Sequence, residues 1–152
     1  MPAKACSYRL RTGRFSLAGQ VYLVTTRLVS GRKTFEDWRL GRLVVAELRR
    51  AHELGRVESI AWVVMPDHLH WLFELREGTL ERIMQCVKSR SSIALNKATN
   101  GAGQVWQTGY HDIAQRKEED LKHMARYILA NPLRAGLVAN IRDYPLWDCK
   151  WI

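Results

Sequence analysis

Two histidines stand one residue apart in the run "MPDHLHWLFEL", residues 65–75. In a strand, residues two apart point to one face, so His68, His70, Leu72 and Glu74 share a side. Leu69, Trp71, Phe73 and Leu75 share the other, which is wholly apolar and belongs to a core. The strand rise sets the two imidazoles roughly 6–7 Å apart at their bases, near enough to converge on one metal ion. Two half-exposed histidines on a sheet surface fit the same pattern. The pair alone leaves both readings open.

A second stripe lies far downstream. The segment "EEDLKHMARYILAN" places Leu121, Met124, Ala125 and Ile128 on an apolar side at helical spacing. His123, Tyr127 and Asn131 recur every four residues on another side. By position, Tyr127 reads as a helix aromatic with its hydroxyl at the surface. Asn131 precedes Pro132 and reads as a cap for the short turn "PLRAGLV".

These residues need elements to hold them. Residues 20–29, "QVYLVTTRLV", form an expected strand, rich in β-branched and aromatic side chains. A helix is expected from Thr34, with Thr34 as cap and Asp37 completing a capping box, to a stop at Gly55. Its apolar side carries Phe35, Trp38, Val44, Leu48, Ala51 and Leu54, and Gly41 inside it costs about 1 kcal/mol relative to alanine. Residues 58–65 and 68–75 are strands joined at Pro66-Asp67. A second helix follows Gly78-Thr79, with Leu80, Ile83, Met84, Val87, Ala94 and Leu95 inward, and ends near "NGAG". A fourth strand is expected within residues 104–113, then a helix from "EED" to Ala130. The order is strand, helix, strand, strand, helix, strand, helix. That order specifies one α+β domain over residues 1–152, with a ferredoxin-like or RRM-like antiparallel sheet. Helices pack on one face, and a C-terminal helix carries the second stripe.

The charge balance points to a partner. Lys and Arg number 24 against 15 Asp and Glu, a formal net charge of +9. Such an excess favours polyanions, nucleic acid first and an anionic membrane surface second. Cys6, Cys86 and Cys149 lie far apart with no CxxC pair, a pattern that supports neither a disulfide framework nor a cysteine-rich zinc site. No apolar run approaches the roughly 18 residues of a membrane span, and the basic N-terminus lacks the apolar segment of a signal peptide. The expected location is the cytoplasm, with no membrane partner.

Three motifs taken together, "MPDHLH", "VWQTGYHD" and "YILANPLRAGLV", resemble the single-tyrosine HUH transposases. They are most similar to the REP-associated tyrosine transposase branch, over nearly the whole chain. The resemblance implies that His68 and His70 bind a divalent metal, Mg²⁺ or Mn²⁺, and that Tyr127 is the nucleophile. It also makes Asn131 a candidate third ligand, alongside its reading as a cap. A tyrosine hydroxyl ionises near pH ~10 and attacks only once its proton is removed. The implied reaction cuts single-stranded, hairpin-bearing DNA, leaves a 5′-phosphotyrosine link and frees a 3′-hydroxyl for strand transfer.

Lys88, Arg90, Arg116, Arg126 and Arg134 are candidate phosphate contacts, with Lys97 and Lys117 beside them. Trp106 and Tyr110 could stack bases, although Trp106 suits a core better. A non-catalytic single-strand-binding module on the same fold would need the charge and the sheet but neither His68 nor Tyr127. Both a monomer and a homodimer fit the chain.

Overall fold

Val57–Met65 (β2) and His68–Leu75 (β3) form the hairpin at the heart of the fold. The computed structural model describes residues 16–115 and 118–151. Cys6, Arg116 and Lys117 lie outside the described residues. Around the hairpin come Val21–Arg27 (β1), Trp38–Glu53 (α1), Leu80–Thr99 (α2), His111–Gln115 (β4), Glu118–Leu129 (α3), Asn131–Arg134 (α4) and Trp147–Cys149 (β5). The strands pair antiparallel in the order β4-β1-β3-β2-β5. The first four give the ferredoxin-like order, and β5 extends it beside β2.

Alternation along β3 decides what each face meets. Leu69, Trp71, Phe73 and Leu75 are fully buried, and Trp71 Nε1 donates to Ser59 Oγ at 2.9 Å. Each such large apolar side chain contributes about 1.5–3 kcal/mol by leaving water. On the histidine side, Leu72 is also fully buried, because α3 covers that face. The covering can be traced through β5. Cys149 pairs with Ala61, which pairs with Leu72, and Cys149 lines a cavity with Lys122, Ala125, Arg126 and Leu129 of α3. Leu146, one residue before β5, faces the opposite way and packs on Gly41 of α1. The crossover helices α1 and α2, which pack on each other, therefore take one side of the sheet and α3 takes the other.

Several sequence expectations need correction. Asp37, not Thr34, caps α1: its Oδ1 accepts from the Arg39 N–H at 3.0 Å, and Thr34–Glu36 is a separate 3₁₀ turn. Trp38 and Leu54 sit at the ends of α1, half exposed, beyond the reach of the core. The fourth strand starts only at His111, after Gly109 turns the chain with φ of 79°. Trp106 makes one isolated bridge to Leu28 and is buried, with Nε1 donating to Ser91 Oγ at 2.9 Å. Tyr110 is buried as well, so neither ring is free to stack on a base. The second helix follows its signals closely, from the Thr79 cap to the left-handed Asn100. Cys86 and Cys149 are free thiols, not joined in a disulfide.

Candidate active site

His68 and His70 open β3 on the face shared with α3. Their rings lie edge to face, with centroids 4.8 Å apart and planes at 85°. Each Nδ1 is already held. His68 Nδ1 donates to Asp67 Oδ1 at 2.6 Å, since a carboxylate can only accept. His70 Nδ1 is 2.8 Å from Oγ1 of Thr25, its register partner on β1. With Nδ1–H donated to Thr25, His70 keeps a lone pair on Nε2, as His68 does. An imidazole oriented through its second nitrogen is the usual arrangement of a metal-binding histidine.

The electrostatics favour the neutral ring. Burial lowers the His68 pKa and outweighs the pull of Asp67 in the other direction. Burial also lowers His70, to about 3, with the charges of His68, Arg27 and Arg134 adding to it. Burial opposes ionisation of Asp67, yet the bond and charge of His68 and the charge of Arg27 hold its carboxyl below the usual range. Both imidazoles are thus unprotonated at neutral pH, the state a metal requires. Arg27 was not anticipated from the sequence. It stands opposite His68 in the β1–β3 register with its side chain in solvent, a placement visible only once the strands are paired.

Tyr127 and Asn131 gather around Arg134 at the junction of α3 and α4. Tyr127 is 56% exposed. The Arg134 guanidinium lies 4.3 Å from the Tyr127 ring centroid. Its Nη2 donates to the Tyr127 carbonyl at 2.8 Å and to Asn131 Oδ1 at 2.7 Å. The cap expected of Asn131 is absent. Ala130 is the N-cap of α4 and makes no side-chain bond there, because Asn131 already lies inside the helix. Asn131 Nδ2 is buried with no hydrogen-bond partner among the described residues.

Arg134 lies over the Tyr127 ring, and its charge adds to the lowering of the His70 pKa. The histidine pair fits a divalent ion in tautomer and charge. Asn131 does not fit as it stands, because Arg134 holds its oxygen. Among the described residues, no group of three or more His, Cys, Asp or Glu could hold a metal.

The basic candidates divide. Arg134 and Arg126 flank Tyr127, and Arg126 lines the cavity shared with Lys122 and Trp151. Lys88 does not reach this site: its Nζ donates to the carbonyls of Gln107 and Gly109 at 2.7 and 2.8 Å, fixing the loop before β4. Arg90 lies on α2, across the sheet from the histidines, and pairs with Glu47 at 2.8 Å. Both were expected at DNA on charge alone, which does not report the side of the sheet.

The family model "Transposase IS200 like" matches residues 23–131. A REP-associated tyrosine transposase of Escherichia coli K12 is 26% identical over 136 residues, spanning 87% of this chain and 78% of the relative. A solved structure of a REP-associated tyrosine transposase bound to a REP hairpin superposes with a TM-score of 0.73. It is 24% identical and covers 88% of this chain and 79% of its own.

Proposed function

The chain belongs to the IS200-like transposase family, and from that premise we propose that it is a metal-dependent single-strand DNA nickase and strand transferase. Its substrate would be hairpin-bearing DNA of the REP type, a partner supported by the likeness to a transposase solved with a REP hairpin. One observation carries the reading. Two neutral imidazoles, each oriented through Nδ1, lie on the same sheet face as a helix that exposes a tyrosine.

In this reading His68 and His70 would hold Mg²⁺ or Mn²⁺. The ion, when bound, supplies polarisation of the scissile phosphate and neutralises charge on the departing oxygen. Tyr127 Oη, once deprotonated, attacks phosphorus. The bond from phosphorus to the 3′-oxygen breaks, that oxygen takes up a proton, and the 5′-phosphate stays on the tyrosine. A 3′-hydroxyl attacking this link reverses the step and joins strands without outside energy. Arg126 and Arg134 contact the phosphates on either side of Tyr127, and Arg27 is added to them from its place beside His68. No described helix is long and apolar enough to cross a membrane.

A binding module on the same fold predicts different behaviour. In a gel assay with hairpin-bearing single strands and Mn²⁺, His70→Ala should abolish cleavage while the DNA still binds. Cleavage that survives this substitution would contradict the metal site, and binding with no cleavage by the wild type would favour the module.

A further inference from the structure

We propose that Lys88 is a positioning residue for the histidine site: from the far side of the sheet it fixes a bulge whose chain holds Arg27 and Asp67 in place. The inference rests on reading His68 and His70 as the metal pair and Arg27 as a phosphate contact.

The end of β1 changes partner. β4 accompanies it only as far as Thr25, which pairs with His111. Beyond that point residues 105–107 take over. The Gln107 N–H donates to the Arg27 carbonyl at 2.8 Å, the Val29 N–H donates to the Val105 carbonyl at 2.9 Å, and Leu28 bridges Trp106. From Thr25 to Leu28 one side of the ladder advances three residues, while the facing segment runs five, from His111 back to Trp106. Two residues are in excess, so the chain bulges between Gln107 and His111. A bulge interrupts the ladder, and bulges beside active sites serve to aim side chains.

Lys88 supplies what the ladder cannot. Its Nζ donates to the Gln107 carbonyl at 2.7 Å and to the Gly109 carbonyl at 2.8 Å, on either side of Thr108. Two carbonyl oxygens turned toward one point repel each other unless a donor stands between them, and an ammonium has the donors to serve both. Ser91, nearly one turn along α2 from Lys88, accepts from Trp106 Nε1 at 2.9 Å. The same helix therefore grips the segment at two points.

Gln107 carries this grip to the site. Its carbonyl is held by Lys88, while its N–H and its Nε2 donate to the carbonyls of Arg27 and Leu28. The Leu28 N–H donates in turn to the Asp67 carbonyl at 2.9 Å, and Asp67 Oδ1 accepts from His68 Nδ1 at 2.6 Å. Arg27 stands opposite His68 in the register, and its charge acts on Asp67, His68 and His70 alike. A chain of main-chain bonds thus runs from α2 to both the cation and the carboxylate that flank His68. Without the ammonium the bulge has no fixed shape, and Arg27 and Asp67 lose their shared anchor.

The test is amide hydrogen exchange on the DNA-free full chain, joined to cleavage kinetics with a hairpin-bearing strand and Mn²⁺. In Lys88→Met, exchange at Leu28 and Gln107 should quicken by about 10-fold or more relative to Trp71 in the core, the mark of local opening. At saturating DNA and Mn²⁺, kcat should fall by about 10-fold or more, since a misplacement of about 1 Å costs roughly 100-fold. KM should stay within about 2-fold, because the lost placement acts on the reaction and not on binding. Gly41→Ala, which crowds α1 against Leu146, should quicken exchange at Leu28 and Trp71 alike and leave kcat as it was. Gly109→Ala, strained at a φ of 79°, disturbs the same bulge and should repeat the Lys88→Met pattern, so the result does not depend on Lys88→Met folding. Unchanged exchange at Leu28 and Gln107, an unchanged kcat, or an equal loss of kcat in Gly41→Ala overturns the positioning role. A wild type that binds the strand without cleaving it sinks the underlying reading instead, and the exchange pattern still reports whether Lys88 holds the bulge.

Discussion

His70 and Thr25 face each other across the ladder of β3 and β1, with Nδ1 2.8 Å from Oγ1. A hydroxyl on one strand thereby fixes the ring carried by the next, and with it the direction of Nε2. Thr25→Val keeps the shape of the side chain and removes the oxygen. Mn²⁺ affinity should fall by about 10–100-fold, the usual cost of losing an orienting partner, with little change in melting temperature. Thr25→Ser should retain most of the affinity. Titration of the two variants checks this, and equal affinity in Thr25→Val would contradict the role.

Lys88 and Arg126 looked alike as basic residues, and the structure separates them. The Lys88 ammonium is held by two backbone carbonyls, so Lys88→Met should cost about 1–3 kcal/mol of stability by leaving those carbonyls unsatisfied. It should leave the salt dependence of DNA binding as it was. Arg126→Ala should reduce the slope of log affinity against log salt by about 1, the signature of one lost phosphate contact. Denaturant melts and binding isotherms over a salt series measure both effects.

Gly41 offers a test of packing against propensity. In an exposed helix interior, alanine is preferred over glycine by about 1 kcal/mol. Here a methyl group would overlap Leu146 Cδ1, and Leu146 is itself buried in the core. Overpacking costs about 1–3 kcal/mol, so Gly41→Ala should destabilise or at best break even. Leu146→Val should partly relieve the loss. A rise in melting temperature for Gly41→Ala would contradict the tight approach of α1 to this segment.

Tyr144 ties the C-terminal segment to β2, donating from its hydroxyl to the Val64 carbonyl at 2.5 Å. Burial raises its pKa to about 12, above the ordinary value of 10.0. The unfolded chain therefore releases this proton first. The stability from neutral Tyr144 is complete below pH 10 and is lost as pH rises toward 12. Tyr144→Phe should flatten that part of the stability curve relative to the wild type and lower stability at neutral pH. Urea melts between neutral and alkaline pH check the difference.

What could be read from the chain was local. Alternation in β3 separates Trp71 and its neighbours from the histidines, and Thr79 and Asn100 mark both ends of α2. Tyr127 lies on a helix, as its spacing indicates. The partners of the site are different in kind. Thr25 and Arg27 join the histidines only through strand pairing across more than forty residues, which no local pattern encodes. β5 is three residues long and follows a proline, too short to leave a period. The bond between Arg134 and Asn131 lies within reach of a three-residue helical spacing. Whether Asn131 capped that turn needed the geometry, because a capping amide and one inside the helix look the same in sequence.

The central claim is that Tyr127 becomes covalently joined to DNA at this site. Wild-type protein, a hairpin-bearing single strand labelled downstream of the cut and Mn²⁺ should yield a protein–DNA adduct that survives denaturing electrophoresis. Peptide mass spectrometry should place the nucleotide on Tyr127, and Tyr127→Phe should form no adduct while binding the hairpin with nearly unchanged affinity. An adduct that persists in Tyr127→Phe, or one mapped to another residue, would contradict the account.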